Sequence, residues 1–194
     1  MLRGFGKIKL LENFYPNLKR YVDKETRYLE IGVCSGFTAL WMLENILTHN
    51  KSYMIGIDPW NKNKIGFYKV RSNIKWNRLL KNIDNIKNQH GNKVKFIKGY
   101  SQDILREERF KSLKFDIIYI DGLHTPERVI DDFNLTWNML NTNGIMIFDD
   151  YIFKQYQDKI NAPIKNAIDD ILIKIDGKYK LLFKNYQVGI EKII

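Results

Sequence analysis

Acidic side chains near the middle of the sequence have the spacing of a metal site. Asp121 follows the apolar run Phe115–Ile120, and Asp149 and Asp150 follow a second apolar run that ends at Phe148. If these runs are neighbouring parallel strands, the three carboxylates meet at one edge of a sheet and repel one another. A bound cation relieves that repulsion, so we expect Asp121, Asp149 and Asp150 to be metal ligands.

The ligand type indicates which cation this site would hold. A site built from carboxylate oxygens suits Mg²⁺, with Mn²⁺ or Ca²⁺ as alternatives, and water or substrate oxygens complete the coordination. A cation in this position lowers the pKa of a coordinated hydroxyl and fixes its direction. We therefore expect a substrate that carries a hydroxyl group.

A histidine close to Asp121 is suited to the role of base. His124 falls in the turn after the predicted strand, and imidazole is the side chain that most often serves in general acid–base catalysis. With the acidic cluster beside it, we expect His124 to accept the proton of the hydroxyl. His49 and His90 lie at a helix end and in a polar loop, and we expect them to be structural or solvated.

The order of apolar runs defines the elements that must position these side chains. Strands are predicted at residues 27–32, 52–58, 94–97, 115–120, 145–148, 179–184 and 188–193. Helical segments follow each of the first five strands, which implies a parallel sheet with right-handed crossovers. The last two strands add an antiparallel hairpin. The predicted fold is a Rossmann-like, doubly wound α/β sheet of seven mostly parallel strands.

The chain of 194 residues is expected to form one domain, because a hydrophobic content of 44% is sufficient for one core. Residues 1–26 are predicted to form a helical cover on the sheet. Residues 59–73 are polar and long for a connection within a domain, so they are a candidate lid over the substrate.

A glycine-bearing turn follows the first predicted strand. Gly32 allows a tight turn, Gly36 allows close approach of a ligand, and the helix that follows offers unpaired N–H groups. Asp58 ends the second strand 26 positions after Gly32, where a carboxylate can accept hydrogen bonds from the hydroxyls of a ribose. These features favour a nucleotide-like cofactor, although the spacing differs from that of the dinucleotide fingerprint.

At these residues the sequence resembles the class I S-adenosylmethionine-dependent methyltransferases, whose first motif is an acidic residue followed by closely spaced glycines. The resemblance implies that Glu30 and Gly32 border the methionine part of the cofactor and that Asp58 holds its ribose. The sequence GYSQ at residues 99–102 matches the segment that contacts adenine, which makes Ser101 a candidate contact.

Three further residues are assigned around the cofactor. Gly36 is expected at the helix start beside it, and Asp121 is expected near the methyl donor. Trp60 is a candidate to stack on adenine, and ordinary packing is the alternative reading for this side chain. Asp132, inside a predicted helix, is expected to be structural or to support the site from behind.

The acidic residues narrow the resemblance. Asp121 and His124, followed by the Asp149–Asp150 pair, are most similar to the mycinamicin-type branch of the metal-dependent sugar O-methyltransferases of antibiotic biosynthesis. The resemblance covers residues 28–151. It implies Mg²⁺ bound by the three acids, histidine as base, and methyl transfer to a hydroxyl of a nucleotide-linked sugar or a glycan.

The net charge of +10 favours acidic partners. The lysines are scattered and form no compact basic block, so nucleic acid is the less favoured partner. Two alternatives remain: an RNA methyltransferase or nucleic-acid-binding protein, and an O-methyltransferase of a catechol-like phenol, whose vicinal oxygens also chelate Mg²⁺.

The cellular setting follows from what the sequence lacks. No apolar run is long enough to cross a membrane, and the first residues contain no continuous hydrophobic signal segment. We therefore expect a cytoplasmic protein with no membrane partner, and a homo-oligomer is compatible with the sequence. Cys34 is the only cysteine, which excludes an internal disulfide.

Overall fold

One sheet of seven strands carries the residues singled out above. The computed structural model describes residues 10–61, 73–152 and 163–194. The strands are β1 Arg27–Ile31, β2 Tyr53–Asp58, β3 Val94–Lys98, β4 Phe115–Ile120, β5 Leu140–Phe148, β6 Tyr179–Lys184 and β7 Val188–Lys192. Their order across the sheet is β3-β2-β1-β4-β5-β7-β6, and β7 pairs antiparallel with both β5 and β6, whereas the other pairings are parallel. The predicted fold class is confirmed.

One short helix precedes β1, and the others lie between successive strands from β1 to β6. The helices are α1 Tyr15–Leu18, α2 Phe37–Asn45, α3 Asn73–His90, α4 Ser101–Ile104, α5 Glu108–Lys111, α6 Pro126–Thr136 and α7 Pro163–Lys174. A π-helical turn, Leu10–Phe14, precedes α1, and short 3₁₀ turns follow α1, α3 and α6. Most of the predicted lid, residues 62–72, and residues 1–9 of the predicted cover lie outside the described residues.

The two faces of the sheet are covered by different helices. Phe133 of α6 and Ile168 of α7 pack in the hydrophobic cluster on one face, together with Ile118 of β4. Phe14 and Met42 pack in the cluster on the other face, together with Tyr119 of β4. Successive strand residues point to opposite faces, so Tyr119 faces the N-terminal segment and α2.

The carboxyl ends of the central strands meet at one edge of the sheet. Backbone hydrogen bonds continue the ladders past the strand ends: Gly32 N–H donates to Ile57 O at 2.9 Å, and Asp121 N–H donates to Ile31 O at 2.8 Å. Asp149 N–H donates in the same way to Ile120 O at 3.0 Å. The residues just beyond β1, β4 and β5 are therefore held in register side by side.

The fifth strand is longer than the sequence predicted. It begins at Leu140 rather than at residue 145, and α6 ends before it, at Thr136. The residues in between are turn-like in type, and Asn143 has a left-handed φ of 64°. Leu140 nevertheless pairs with Phe115, across a register shift in β4. Pairing with a neighbouring strand outweighs the local preference here.

Within the three described ranges, none of the helices combines the length and the apolar character needed to cross a bilayer.

Candidate active site

Gly32 brings the turn after β1 against the end of β4. Its φ is 90°, and a Cβ atom built on residue 32 would lie only 1.8 Å from the carbonyl oxygen of Asp121. Gly36 also has a positive φ, of 78°, and its Cβ position is 2.4 Å from Cδ1 of Ile86 in α3. Gly32 therefore permits contact between two backbones, whereas Gly36 permits α3 to pack against the start of α2.

The carboxylate of Asp58 ties the end of β2 to the turn after β1. Its Oδ2 accepts a hydrogen bond from Cys34 N–H at 2.8 Å, and its Oδ1 accepts one from Trp60 N–H at 2.7 Å. Burial raises the pKa of Asp58, and these backbone donors offset part of that shift. Each carboxylate oxygen can accept a second hydrogen bond, so the same residue can also hold ribose hydroxyls.

Trp60 packs in the core. Its side chain is only 6% exposed and meets the ring of Phe96 edge to face, with the ring centres 5.9 Å apart. The indole N–H donates to the carbonyl oxygen of Cys34 at 2.9 Å. These contacts show that Trp60 packs against β3 and supports the turn after β1, while its stacking on adenine stays a prediction.

Glu30 is a buried acid at the end of β1. The hydroxyl of Tyr28 donates to its Oε2 at 3.0 Å. Burial, together with the nearby carboxylate of Asp58, raises the pKa of Glu30 to about 8 despite that hydrogen bond. The carboxyl group therefore holds its proton more tightly than an ordinary glutamate, and a positive charge beside it would favour the ionised form.

Ser101 and Gln102, in the predicted adenine segment, are both tied to Asp132 of α6. The hydroxyl of Ser101 and the Nε2 of Gln102 donate to its Oδ1 at 2.6 and 2.8 Å. Asp132 is 1% exposed, and burial raises its pKa to about 7. Its Oδ2 lies 3.1 Å from the Cβ position of Gly122, in the loop after β4. This acid is therefore bonded to the predicted adenine segment and lies close to that loop.

The sequence contained a signal for this role of Asp132. The buried positions of α6 are Val129, Asp132, Phe133 and Thr136, which follow the spacing of one helix face. A carboxylate at a buried position needs hydrogen-bond partners, and the structure supplies them from α4.

The metal-type cluster at the sheet edge consists of Asp121, His124 and Asp150. One potential ligand atom from each lies within 4.8 Å of the other two. The Nδ1 of His124 is 2.5 Å from the Oδ2 of Asp150. Two carboxylates and an imidazole at this separation can hold a divalent cation, and the carboxylate can also orient the ring as a base.

Asp149 has a different environment. Its Oδ2 accepts a hydrogen bond from the Tyr119 hydroxyl at 2.8 Å, and its Oδ1 accepts one from Gln187 Nε2 at 2.9 Å. The Tyr119 hydroxyl is also 3.2 Å from the Oδ2 of Asp121. Because consecutive residues after a strand point in different directions, Asp149 and Asp150 do not enter the cluster together. Asp149 lies beside it, linked through Tyr119.

The turn between β6 and β7 adds residues that the sequence reasoning missed. The hydroxyl of Tyr186 donates to Oδ1 of Asp150 at 2.5 Å, and burial followed by that carboxylate raises the pKa of Tyr186. Gln187 reaches Asp149, as described above. The sequence identified this turn only as a connection, whereas Tyr119 could have been expected from its position two residues before Asp121 on the same face of β4.

A family comparison agrees with this architecture. Residues 29–151, well over half the chain, match a family model described as a methyltransferase domain. The chain therefore belongs to the methyltransferase domain family, and the expected resemblance to class I S-adenosylmethionine-dependent methyltransferases is confirmed. The uncharacterized protein R132 of Acanthamoeba polyphaga mimivirus is 32% identical over 169 residues, which cover 84% of this chain and 67% of that protein.

Solved structures share the fold at lower identity. The O-methyltransferase NovP is 19% identical and has a TM-score of 0.67, with 96% of this chain and 81% of that chain covered. The MycE methyltransferase of the mycinamycin biosynthetic pathway, in complex with Mg, SAH and mycinamycin VI, is 15% identical and has a TM-score of 0.63. That alignment covers 95% of this chain and 49% of MycE. Likeness at this level establishes the fold and leaves the acceptor open.

The residues at the sheet edge fit S-adenosylmethionine. The chain carries a net charge of +10, yet Glu30, Asp58 and Asp121 lie at or next to the carboxyl ends of three adjacent strands, β1, β2 and β4. The cofactor carries positive charges on its sulfonium and ammonium groups, and opposite charges at short range favour the ionised carboxylates. The donor set therefore matches a cationic ligand.

Proposed function

We propose that this chain is an O-methyltransferase that transfers a methyl group from S-adenosylmethionine to a hydroxyl of a sugar, with a divalent cation at the acidic edge. The observation that carries the proposal is the cluster of Asp121, His124 and Asp150, whose ligand atoms lie within 4.8 Å of one another. This cluster is adjacent to the cofactor turn, because Asp121 and Gly32 are in backbone contact.

The carboxylates of Asp121 and Asp150 would hold the cation, which is Mg²⁺ or, alternatively, Mn²⁺ or Ca²⁺. Asp149 would join them through a water molecule, since it lies beside the cluster of Asp121, His124 and Asp150 and not within it. Two oxygens of the sugar would complete the coordination. This arrangement favours an acceptor with vicinal oxygens.

His124 would act as the base. Its Nδ1 faces Asp150, and that contact fixes the ring and directs Nε2 to the opposite side of the imidazole. S-adenosylmethionine supplies an electrophilic methyl group, and the cation lowers the pKa of a coordinated hydroxyl. Nε2 of His124 would take the hydroxyl proton as the methyl ether forms and S-adenosylhomocysteine is left.

The charge of the chain supports an anionic acceptor. A net charge of +10 attracts a diphosphate-linked sugar at long range, whereas the acidic edge repels phosphate close to the reacting centre. A sugar with its phosphates at one end satisfies both conditions, because the hydroxyl can enter the edge while the phosphates remain outside it.

An acceptor panel tests the proposal. Purified protein would be incubated with radiolabelled S-adenosylmethionine and, in turn, nucleotide-linked sugars, free glycans, a catechol and RNA, with and without EDTA. We expect transfer to a sugar that EDTA abolishes and Mg²⁺ restores, and that Asp121→Asn abolishes. Asp170→Asn, on the exposed face of α7, is the matched control. Transfer to RNA alone rejects the sugar acceptor, and transfer unaffected by EDTA and by Asp121→Asn rejects the cation.

A further inference from the structure

The C-terminal hairpin approaches the acidic edge because of the sheet topology. β7 runs antiparallel to β5, and Val188, the first residue of β7, pairs with Phe148, the last residue of β5. The turn at residues 185–187 therefore lies beside Asp149 and Asp150. Because the two strands are antiparallel, β7 begins next to the point where β5 ends.

Tyr186 and His124 hold the two oxygens of Asp150. The tyrosine hydroxyl donates to Oδ1 at 2.5 Å, and the imidazole Nδ1 is 2.5 Å from Oδ2. Asp150 has a left-handed φ of 55°, a conformation that aspartate tolerates better than most residues with a Cβ atom. The carboxylate that faces His124 is thus fixed from its other side by the hairpin.

Gln187 fixes the carboxylate of Asp149 in the same way. Its side chain is 1% exposed, and its Nε2 donates to Oδ1 of Asp149 at 2.9 Å. Its Oε1 accepts a hydrogen bond from Asn13 Nδ2 at 3.0 Å. The amide therefore has a partner on the N-terminal segment and another at the site, which leaves it one orientation.

The turn itself is rigid. Asn185 N–H donates to Gln187 O at 2.9 Å, and Asn185 Oδ1 accepts from Gln187 N–H at 3.1 Å. The side-chain amides of Asn13 and Asn185 donate to each other at 3.0 and 2.9 Å. Because these bonds fix the turn independently of the acids, the turn can serve as a support for them.

We propose that Tyr186 and Gln187 are positioning residues of the active site: Tyr186 orients Asp150 and through it the imidazole of His124, and Gln187 orients Asp149. This inference rests on the proposed function for its kinetic consequence. The structural consequence, a fixed imidazole, can be measured without any acceptor.

The first test compares Tyr186→Phe with Tyr179→Phe, which removes a hydroxyl at the far end of the same hairpin. The chain has three histidines, so nitrogen-15 spectra of the imidazole rings are simple, and His124→Gln identifies the signals of residue 124. We expect Tyr186→Phe to shift only those signals and Tyr179→Phe to leave all three rings unchanged. Unchanged His124 signals in Tyr186→Phe would overturn the proposal.

A kinetic measurement of the same variants uses the acceptor substrate identified in the acceptor panel. Loss of a group that orients a ligand residue costs about 10- to 100-fold in activity or metal affinity. We expect Tyr186→Phe to lower kcat by about that factor, with the KM for S-adenosylmethionine unchanged and a melting temperature like that of Tyr179→Phe. A kcat equal to that of Tyr179→Phe would contradict the positioning role. If the unaltered chain methylates nothing in the panel, the proposed function fails, while the imidazole spectra still decide the positioning of His124.

The second variant tests Gln187 with Mn²⁺ as the probe. Gln187→Met keeps the length of the side chain and removes its donor, and Gln89→Met on the exposed side of α3 is the control. We expect Mn²⁺ binding, followed by electron paramagnetic resonance, to weaken about 10- to 100-fold in Gln187→Met alone. Equal binding in both variants would overturn the role of Gln187. Absence of binding by the unaltered chain would instead remove the cation from the proposed function.

Discussion

The α-carbon of Gly32 lies against the peptide group of Asp121, so that a Cβ atom at residue 32 would be 1.8 Å from the Asp121 carbonyl oxygen. This contact joins the turn that is predicted to hold the cofactor to the first acid of the proposed metal site. The methyl donor and the acceptor hydroxyl would meet where these two backbones touch.

Gly32→Ala is expected to destabilise the protein and to abolish cofactor binding. A left-handed conformation costs a residue with a Cβ about 1–2 kcal/mol, and the overlap with the Asp121 backbone adds to this cost. Gly177→Ala is the matched control, because Gly177 has a φ of 75° with open space around its Cβ position. Thermal unfolding and calorimetry with S-adenosylhomocysteine would compare the two variants. A larger loss of stability and of cofactor affinity in Gly32→Ala than in Gly177→Ala would show that the overlap with Asp121 matters beyond the φ angle.

Asp58→Asn is expected to loosen the cofactor turn. The amide nitrogen would face a backbone N–H donor of Cys34 or Trp60, and leaving a buried donor unpaired costs about 1–3 kcal/mol. Binding of S-adenosylhomocysteine should weaken at least tenfold, the equivalent of about 1.4 kcal/mol. Asp84→Asn, on the exposed side of α3, should change neither property. Normal affinity in Asp58→Asn would show that this carboxylate contributes nothing to the cofactor site.

Glu30 should make the stability of the unliganded protein fall as the pH rises. Its pKa is about 8 in the folded state, against 4.5 for an ordinary glutamate. Between these values the folded chain binds a proton that the unfolded chain has lost, so the free energy of unfolding decreases with increasing pH. Each unit of pKa shift corresponds to about 1.4 kcal/mol. Denaturant unfolding from pH 5 to pH 8 should show this slope, and Glu30→Gln should flatten it. An unchanged slope would mean that Glu30 ionises normally.

Asp132 should be more important for cofactor binding than an ordinary helix residue. Asp132→Leu leaves the donors of Ser101 and Gln102 without their buried acceptor, at a cost of about 1–3 kcal/mol for each. Asp132→Asn keeps one acceptor oxygen and should restore most of the stability. Calorimetry with S-adenosylhomocysteine should rank the unaltered chain first, Asp132→Asn next and Asp132→Leu last. If all three proteins bound S-adenosylhomocysteine equally well, Asp132 would contribute to packing and not to the cofactor site.

His124→Gln should separate chemistry from cofactor binding. General base catalysis contributes about 10²- to 10⁴-fold to a rate, so kcat should fall by that factor while the affinity for S-adenosylhomocysteine is retained. His90→Gln, at the end of α3, is the control and should keep full activity. A fall of less than tenfold in His124→Gln would assign the proton transfer to another group or to water.

The sequence by itself determined the fold class and the residues at the strand ends. Alternating strands and helices specify a doubly wound sheet, and Gly32, Asp58 and Asp121 follow directly from the strand boundaries because parallel strands open at one edge. β4 has the predicted bounds, Phe115–Ile120. These features depend on local patterns of a few residues, so they can be predicted without knowledge of distant contacts.

Only the tertiary structure decided which partners each acid contacts. The left-handed backbone at Asp150 turns that carboxylate toward His124 and leaves Asp149 with Tyr119 and Gln187. Tyr186 is 36 residues from Asp150, and Gln187 is 38 residues from Asp149 and 174 from Asn13. No local pattern in the sequence encodes these contacts, because they arise when the last hairpin pairs antiparallel with β5 and carries its turn to the edge.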